Sequence, residues 1–145
     1  MAFVSTLAKK GYESKLLSAV IDINNIVVKR FCDNICEKHD TSKKIGILGL
    51  SFKPDSDDVR ETPAYKVYTE LYGKGYKYFN AYDPVANENF QKHYGVNKMS
   101  FYDSPEELII NSDIIVITTA WQEFVKLDFK NKPVFDGRYF LNCSH

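Results

Sequence analysis

The run Ile114-Ile115-Val116-Ile117 places bulky apolar side chains at four consecutive positions, so a strand formed there is apolar on both faces. Successive strand residues point to opposite sides. A strand apolar on both sides must therefore be covered on both, the condition met by parallel sheets packed between helices. The neighbouring sequence agrees. "KIGILGL", "PAYKVYTELYGKG", "YKYFNAYDP", "SPEELIINS", "DIIVITTA" and "KPVFDGR" alternate β-rich runs with helical segments, the order expected of an α/β domain. Asp113 before the apolar run and Asp83-Pro84 after "YKYFNAY" mark strand ends. Glu88 to Tyr94 reads as a helix closed by Gly95, and the rest of Ala86 to Met99 has no assignment.

Upstream of His39-Asp40-Thr41-Ser42 the pattern changes. Tyr12 to Lys38 contains neither Gly nor Pro, and its apolar residues, among them Leu16, Val20, Ile23, Val27, Phe31 and Ile35, predict one long helix. Residues 1–40 are thus expected to form a helix and residues 41–145 the α/β domain. The apolar positions occupy more than one stripe, so a single contact with the following domain leaves large side chains in water. A second subunit packed on the helix, giving a homodimer, resolves that. Cys32 and Cys36 stand one turn apart and supply half of a metal site, but no other Cys or His pair completes it. They are read as packing residues, and no metal is expected.

Composition narrows the function. Lys and Arg number 19 and Asp and Glu number 19, so no net field draws in nucleic acid or an anionic membrane. Three cysteines without a framework spacing, and no apolar leader or spanning run, point to a reducing compartment, the cytoplasm by default. A chain of 145 residues, 44% hydrophobic, suffices for one domain with an attached element.

The chemistry concentrates in "GILGLSFKPDSDDVRETPAYKV", Gly46 to Val67. It begins as a nucleotide-binding strand and turn, and Thr62 and Pro63 mark the next helix as cap and first turn. Gly46 and Gly49 do not complete a G-x-G-x-x-G fingerprint, since the third glycine is missing and Lys53 intervenes. The loop instead offers Phe52 as a flat apolar face beside the Lys53 cation, followed by Asp57, Asp58 and Arg60. Stacking combined with charge suits a nucleotide-like ligand. Lys53 and Arg60 pairing with the nearby Asp55, Asp57, Asp58 and Glu61 accounts for the same residues, and the pattern alone leaves both readings open.

"GLSFKPDSDDVRETPAYKV", followed in order by "AYDP", "VITTAWQEF" and "PVFDGR", resembles the C-terminal domain of the UDP-glucose 6-dehydrogenase family over roughly Lys43 to Phe140. "YESKLLSAVIDINN" resembles the family's central dimerisation helix. The resemblance implies a Rossmann-like three-layer α/β domain with a mainly parallel sheet, preceded by a long α-helix. It also implies an activity: oxidation of the sugar C6 alcohol of a nucleoside-diphosphate sugar to a carboxylate, in two NAD-dependent steps through a cysteine thioester. Phe52, Lys53 and Arg138 would contact the UDP-sugar, and Arg60 would face the NAD of another half. Arg138 has an alternative role in a strand-end ion pair with Asp136. Ser56 stands where the family commonly has Thr, and both keep a hydroxyl. None of Cys32, Cys36 and Cys143 matches the nucleophile position, so no catalytic residue is assigned and the chain is expected to be a fragment that binds NAD poorly by itself. UDP-glucose is favoured as the sugar nucleotide by "WQEF" and "DGR". A free-standing binding or regulatory module of the same fold is the alternative.

Overall fold

The computed structural model describes residues 26–51, 53, 56–60, 62–95, 99–119 and 121–137. Helix α1 covers residues 26–38. It is followed by β1 (Ile45–Leu48), α2 (Pro63–Gly73), β2 (Phe79–Tyr82), α3 (Asn87–Tyr94), β3 (Met99–Phe101), α4 (Pro105–Ile110), β4 (Ile114–Ile117), a 3-10 turn (Gln122–Lys126) and β5 (Val134–Asp136). The strands form one sheet of order β3-β2-β1-β4-β5, and every pairing in it is parallel. β1 is central: Ile45 lies opposite Phe79 and Ile114, and Leu48 opposite Tyr82 and Ile117. The chain adds β2 and β3 on one side of β1 and then β4 and β5 on the other, so strand order reverses between β1 and β4. In open α/β sheets ligands commonly bind at the carboxyl ends of the strands, beside such a switch point.

Alternation along the strands builds two cores. Ile45, Ile47, Phe79, Ala81, Ile114 and Val116 cluster with Val67 and Leu71 of α2, Phe90 of α3 and the α1 stripe Val28, Phe31, Cys32 and Ile35. On the opposite face Leu48, Tyr82, Ile115 and Ile117 meet Leu108 and Ile109 of α4 and Phe124 of the 3-10 turn. A strand apolar on both faces thus has helices on both, and each large buried side chain contributes about 1.5–3 kcal/mol. The Cys32 thiol lies in this core with its pKa raised by burial. Among the described residues no group of His, Cys, Asp and Glu is arranged to hold a metal ion.

The helix boundaries follow local chemistry. The Thr62 hydroxyl accepts from the Tyr65 amide at 3.3 Å and the Ser104 hydroxyl from the Glu107 amide at 3.1 Å, each with Pro beginning the helix. Gly95 closes α3 at φ 59°. α4 has no basic residue in its last turn. Lys132 supplies one from the loop before β5, its ammonium donating to the carbonyls of Ile110 at 3.0 Å and Ser112 at 2.6 Å. Within α1 the buried stripe faces the sheet and Lys74 pairs with Asp33, while Ile26 is 48% exposed. The expected helix from Tyr12 to Asn25 lies outside the described residues. No described helix is long and apolar enough to cross a membrane.

Candidate functional site at the carboxyl ends of the strands

Beyond Leu48 the chain turns through Gly49 at φ +95°, where a Cβ would lie 2.7 Å from the Thr119 amide nitrogen. The loops leaving β1 and β4 therefore touch backbone to backbone, and only glycine provides both the space and the dihedral. The next residues form a stalk tied on both sides. The amides of Leu50 and Ser51 donate to Asp83 Oδ2 at 2.8 and 3.0 Å. The Thr118 hydroxyl donates to the Gly49 carbonyl, and the Thr119 hydroxyl to that of Ser51 at 2.7 Å. The Ser51 hydroxyl donates to the Lys53 carbonyl at 2.9 Å, so the chain reaches Lys53 with its direction set.

Asp83 follows β2 and is only 2% exposed. A buried carboxylate is tolerated when hydrogen bonds replace its hydration, and here five donors converge. Oδ1 accepts from the amides of Val85 and Ala86, each at 2.9 Å. Oδ2 receives the Trp121 indole N–H at 3.1 Å in addition to the two stalk amides. The adjacent Tyr82 hydroxyl donates to Glu123 Oε1 at 2.8 Å, and burial followed by this carboxylate raises the phenol pKa. The end of β2 thereby reaches past β1 to the segment that follows β4.

The far end of the loop is held more lightly. Arg60 donates from its amide and Nε to Asp58 Oδ1, both at 3.0 Å, and from Nη2 to Oδ2 at 2.9 Å. These bonds, the guanidinium's first, hold the exposed Asp58 carboxyl down at about 2. Asn89 donates to the Asp57 carbonyl at 3.2 Å. The Tyr94 hydroxyl donates to the Val59 carbonyl, with its ring stacked on Tyr65 at 3.8 Å. Between this tip and α3 runs a groove of about 540 Å³ lined by Asp57, Asp58, Arg60, Asn89, Lys92 and His93.

The predicted site residues separate accordingly. Lys53 is exposed at the top of the stalk and makes no ion pair among the described residues, whereas Arg60 forms the local pair with Asp58. Phe52 and Arg138 lie outside the described residues. Gly137, which precedes Arg138, donates to the Ile117 carbonyl at 2.7 Å, so β5 brings the chain to the same edge of the sheet. Asp83, Thr118, Thr119 and Trp121 were missed as site residues. In the sequence Asp83 stands out as strand-end punctuation, and both Asp83 within "AYDP" and "TTAW" within "VITTAWQEF" belong to a resemblance that assigns them no role. The described residues do not form a dinucleotide cradle either: the Leu50 and Ser51 amides, in the turn after β1, are committed to Asp83.

The parallel, doubly wound sheet places the domain in the Rossmann-like α/β class. A family model, the UDP binding domain of the UDP-glucose/GDP-mannose dehydrogenase family, matches residues 46–143, and the chain belongs to that family. It is 33% identical over 143 residues to a UDP-glucose 6-dehydrogenase of Haloferax volcanii, covering 94% of this chain and 33% of that protein. It is 37% identical over 131 residues to one of Rickettsia bellii, covering 88% of this chain and 30% of the relative. A solved UDP-glucose dehydrogenase of Pyrobaculum islandicum superposes with a TM-score of 0.77 at 28% identity, covering 96% of this chain and 32% of that one. The chain thus spans about a third of the length of the curated relatives it matches.

Proposed function

We propose that this chain is the UDP-sugar-binding portion of an NAD-dependent nucleotide-sugar 6-dehydrogenase, with UDP-glucose as the sugar nucleotide. The observation that carries the reading is the stalk. Within the family-matched segment it carries the exposed Lys53 at the carboxyl end of β1, where an ammonium can meet a diphosphate or a sugar hydroxyl. Phe52 and Arg138 complete the contact in this reading, and Arg60, facing outward from the tip, meets NAD held by another half of the protein. NAD supplies hydride acceptance when bound there. The residues of this chain bind and orient the sugar nucleotide, and none is assigned to the chemical step.

Calorimetry with UDP tests the site. The chain should bind UDP weakly, because a site shared with another half leaves much of the nucleotide exposed, and Lys53→Ala or Arg138→Ala should weaken it further. Affinity indifferent to both substitutions would refute the assignment. We also propose that the chain dimerises through its N-terminal helix, supported by exposed Ile26 and half-buried Val27 on the described part of α1. Light scattering should report a dimer that Val27→Asp weakens. A monomer at every concentration would exclude it.

A further inference from the structure

We propose that Asp83 is the positioning residue of the substrate loop, and that its carboxylate joins the loop stalk and Trp121 into one unit that sets how Lys53 meets a nucleoside diphosphate. This deepens the reading of Lys53 given above and rests on it. The two oxygens of Asp83 have separate duties. Oδ1 takes the amides of Val85 and Ala86 from its own loop, the local bonding of an Asx-type turn. All three donors on Oδ2 come from elsewhere: Leu50 and Ser51 after β1, and Trp121 after β4. A carboxylate needed only to shape its own turn has no use for that second set. Since Thr118 and Thr119 hold the stalk carbonyls from the other side, the Oδ2 bonds remove the remaining freedom of the segment leading to Lys53. A displacement of about 1 Å in such a segment is enough to misplace a ligand contact.

An amide cannot replace this carboxylate. Asn at 83 presents one oxygen and one NH2, so whichever way it turns, a donor group faces two or three other donors. The molecule also contains its own reporter. Trp121 is the only tryptophan in the sequence and is half-buried on Oδ2, so its emission follows the state of the unit.

The test compares the wild-type chain with Asp83→Asn and Trp121→Phe, using calorimetry with UDP, Trp121 emission, and amide hydrogen exchange at Leu50 and Ser51. At a temperature where circular dichroism shows Asp83→Asn folded, UDP binding should weaken about tenfold or more. The Leu50 and Ser51 amides should exchange faster than Ile47 in β1, and Trp121 emission should cease to respond to UDP. A folded Asp83→Asn chain with wild-type UDP affinity would overturn the proposal, since a purely structural role lowers melting temperature and frees these two amides without weakening UDP binding. If Asp83→Asn does not fold, Trp121→Phe decides: faster exchange at the two amides with about threefold weaker UDP binding supports the unit, and no change in either overturns it. A wild-type chain that does not bind UDP at all would refute the substrate reading instead, and exchange at Leu50 and Ser51 would still decide the clamp.

Discussion

Residues 49–51 and residues 56–60 lie at the two ends of one loop, and they are held by different means. The stalk is buried, and its backbone groups are matched to side chains from β2 and β4 distant in sequence. The tip is held by neighbours, Ser56 to Asp58 and Asp58 to Arg60, by an exposed amide contact from Asn89, and by one distant anchor at the buried Val59, whose carbonyl accepts from Tyr94. Buried bonds to a charged group resist both water and salt, whereas exposed pairs compete with solvent throughout. A loop built this way presents residues near its base in a set geometry and leaves its tip adjustable. That suits a ligand contact at Lys53 and a looser contact with another body at Arg60.

The stalk is most vulnerable at Gly49. Gly49→Ala forces a Cβ within 2.7 Å of the Thr119 nitrogen at φ +95°, and overpacking together with left-handed strain should cost about 2–5 kcal/mol. Urea denaturation measures this. A loss below about 1 kcal/mol would mean that the β1 and β4 loops separate easily and the stalk is not rigid.

Thr119→Val is smaller and more selective, since it keeps the shape but removes the donor to the buried Ser51 carbonyl. It should cost about 1–3 kcal/mol, the penalty for an orphaned buried acceptor. Asn89→Ala, which removes the contact from α3 to the tip, should change stability by no more than about 0.5 kcal/mol. Equal losses at the two positions would erase the distinction between the two ends.

The smallest expected effect is electrostatic and confined to the tip. Asp58 is held at about 2, below the ordinary carboxylate value. The Asp58–Arg60 pair is thus fully formed above the unperturbed carboxylate pKa and is lost as pH falls through about 2. Carbon-13 titration of the Asp58 carboxyl should show that low midpoint, with the Arg60 amide shifting alongside it while the Leu50 and Ser51 amides do not follow. A midpoint at the ordinary value would show that the pair is not formed in solution.

Much of the architecture was legible from short windows. Thr62-Pro63 and Ser104-Pro105 announce α2 and α4 because a cap and its proline act within one helical turn, and Gly95 closes α3 for the same reason. The Asp58–Arg60 pair was also within reach, because its partners are two residues apart. β3 was not: Met99-Ser100-Phe101 is three residues at a sheet edge with only Met99 buried, too short for alternation to register. The importance of Asp83 was hidden more deeply, since three of its donors lie 32, 33 and 38 residues away.

Periodicity and capping are properties of neighbouring residues, so the local sequence dictates which segments become helices, which strands need cover on both faces, and that Lys53 sits on the loop after β1. Strand order is not such a property. Only the arrangement β3-β2-β1-β4-β5 brings the ends of β2 and β4 to either side of the end of β1. Once they flank it, Asp83, Thr118 and Thr119 reach the same stretch of backbone from opposite sides. The tertiary structure therefore made a strand-end aspartate into the brace of the loop, because a hydrogen bond between distant residues exists only after the sheet has placed its partners within 3 Å of one another.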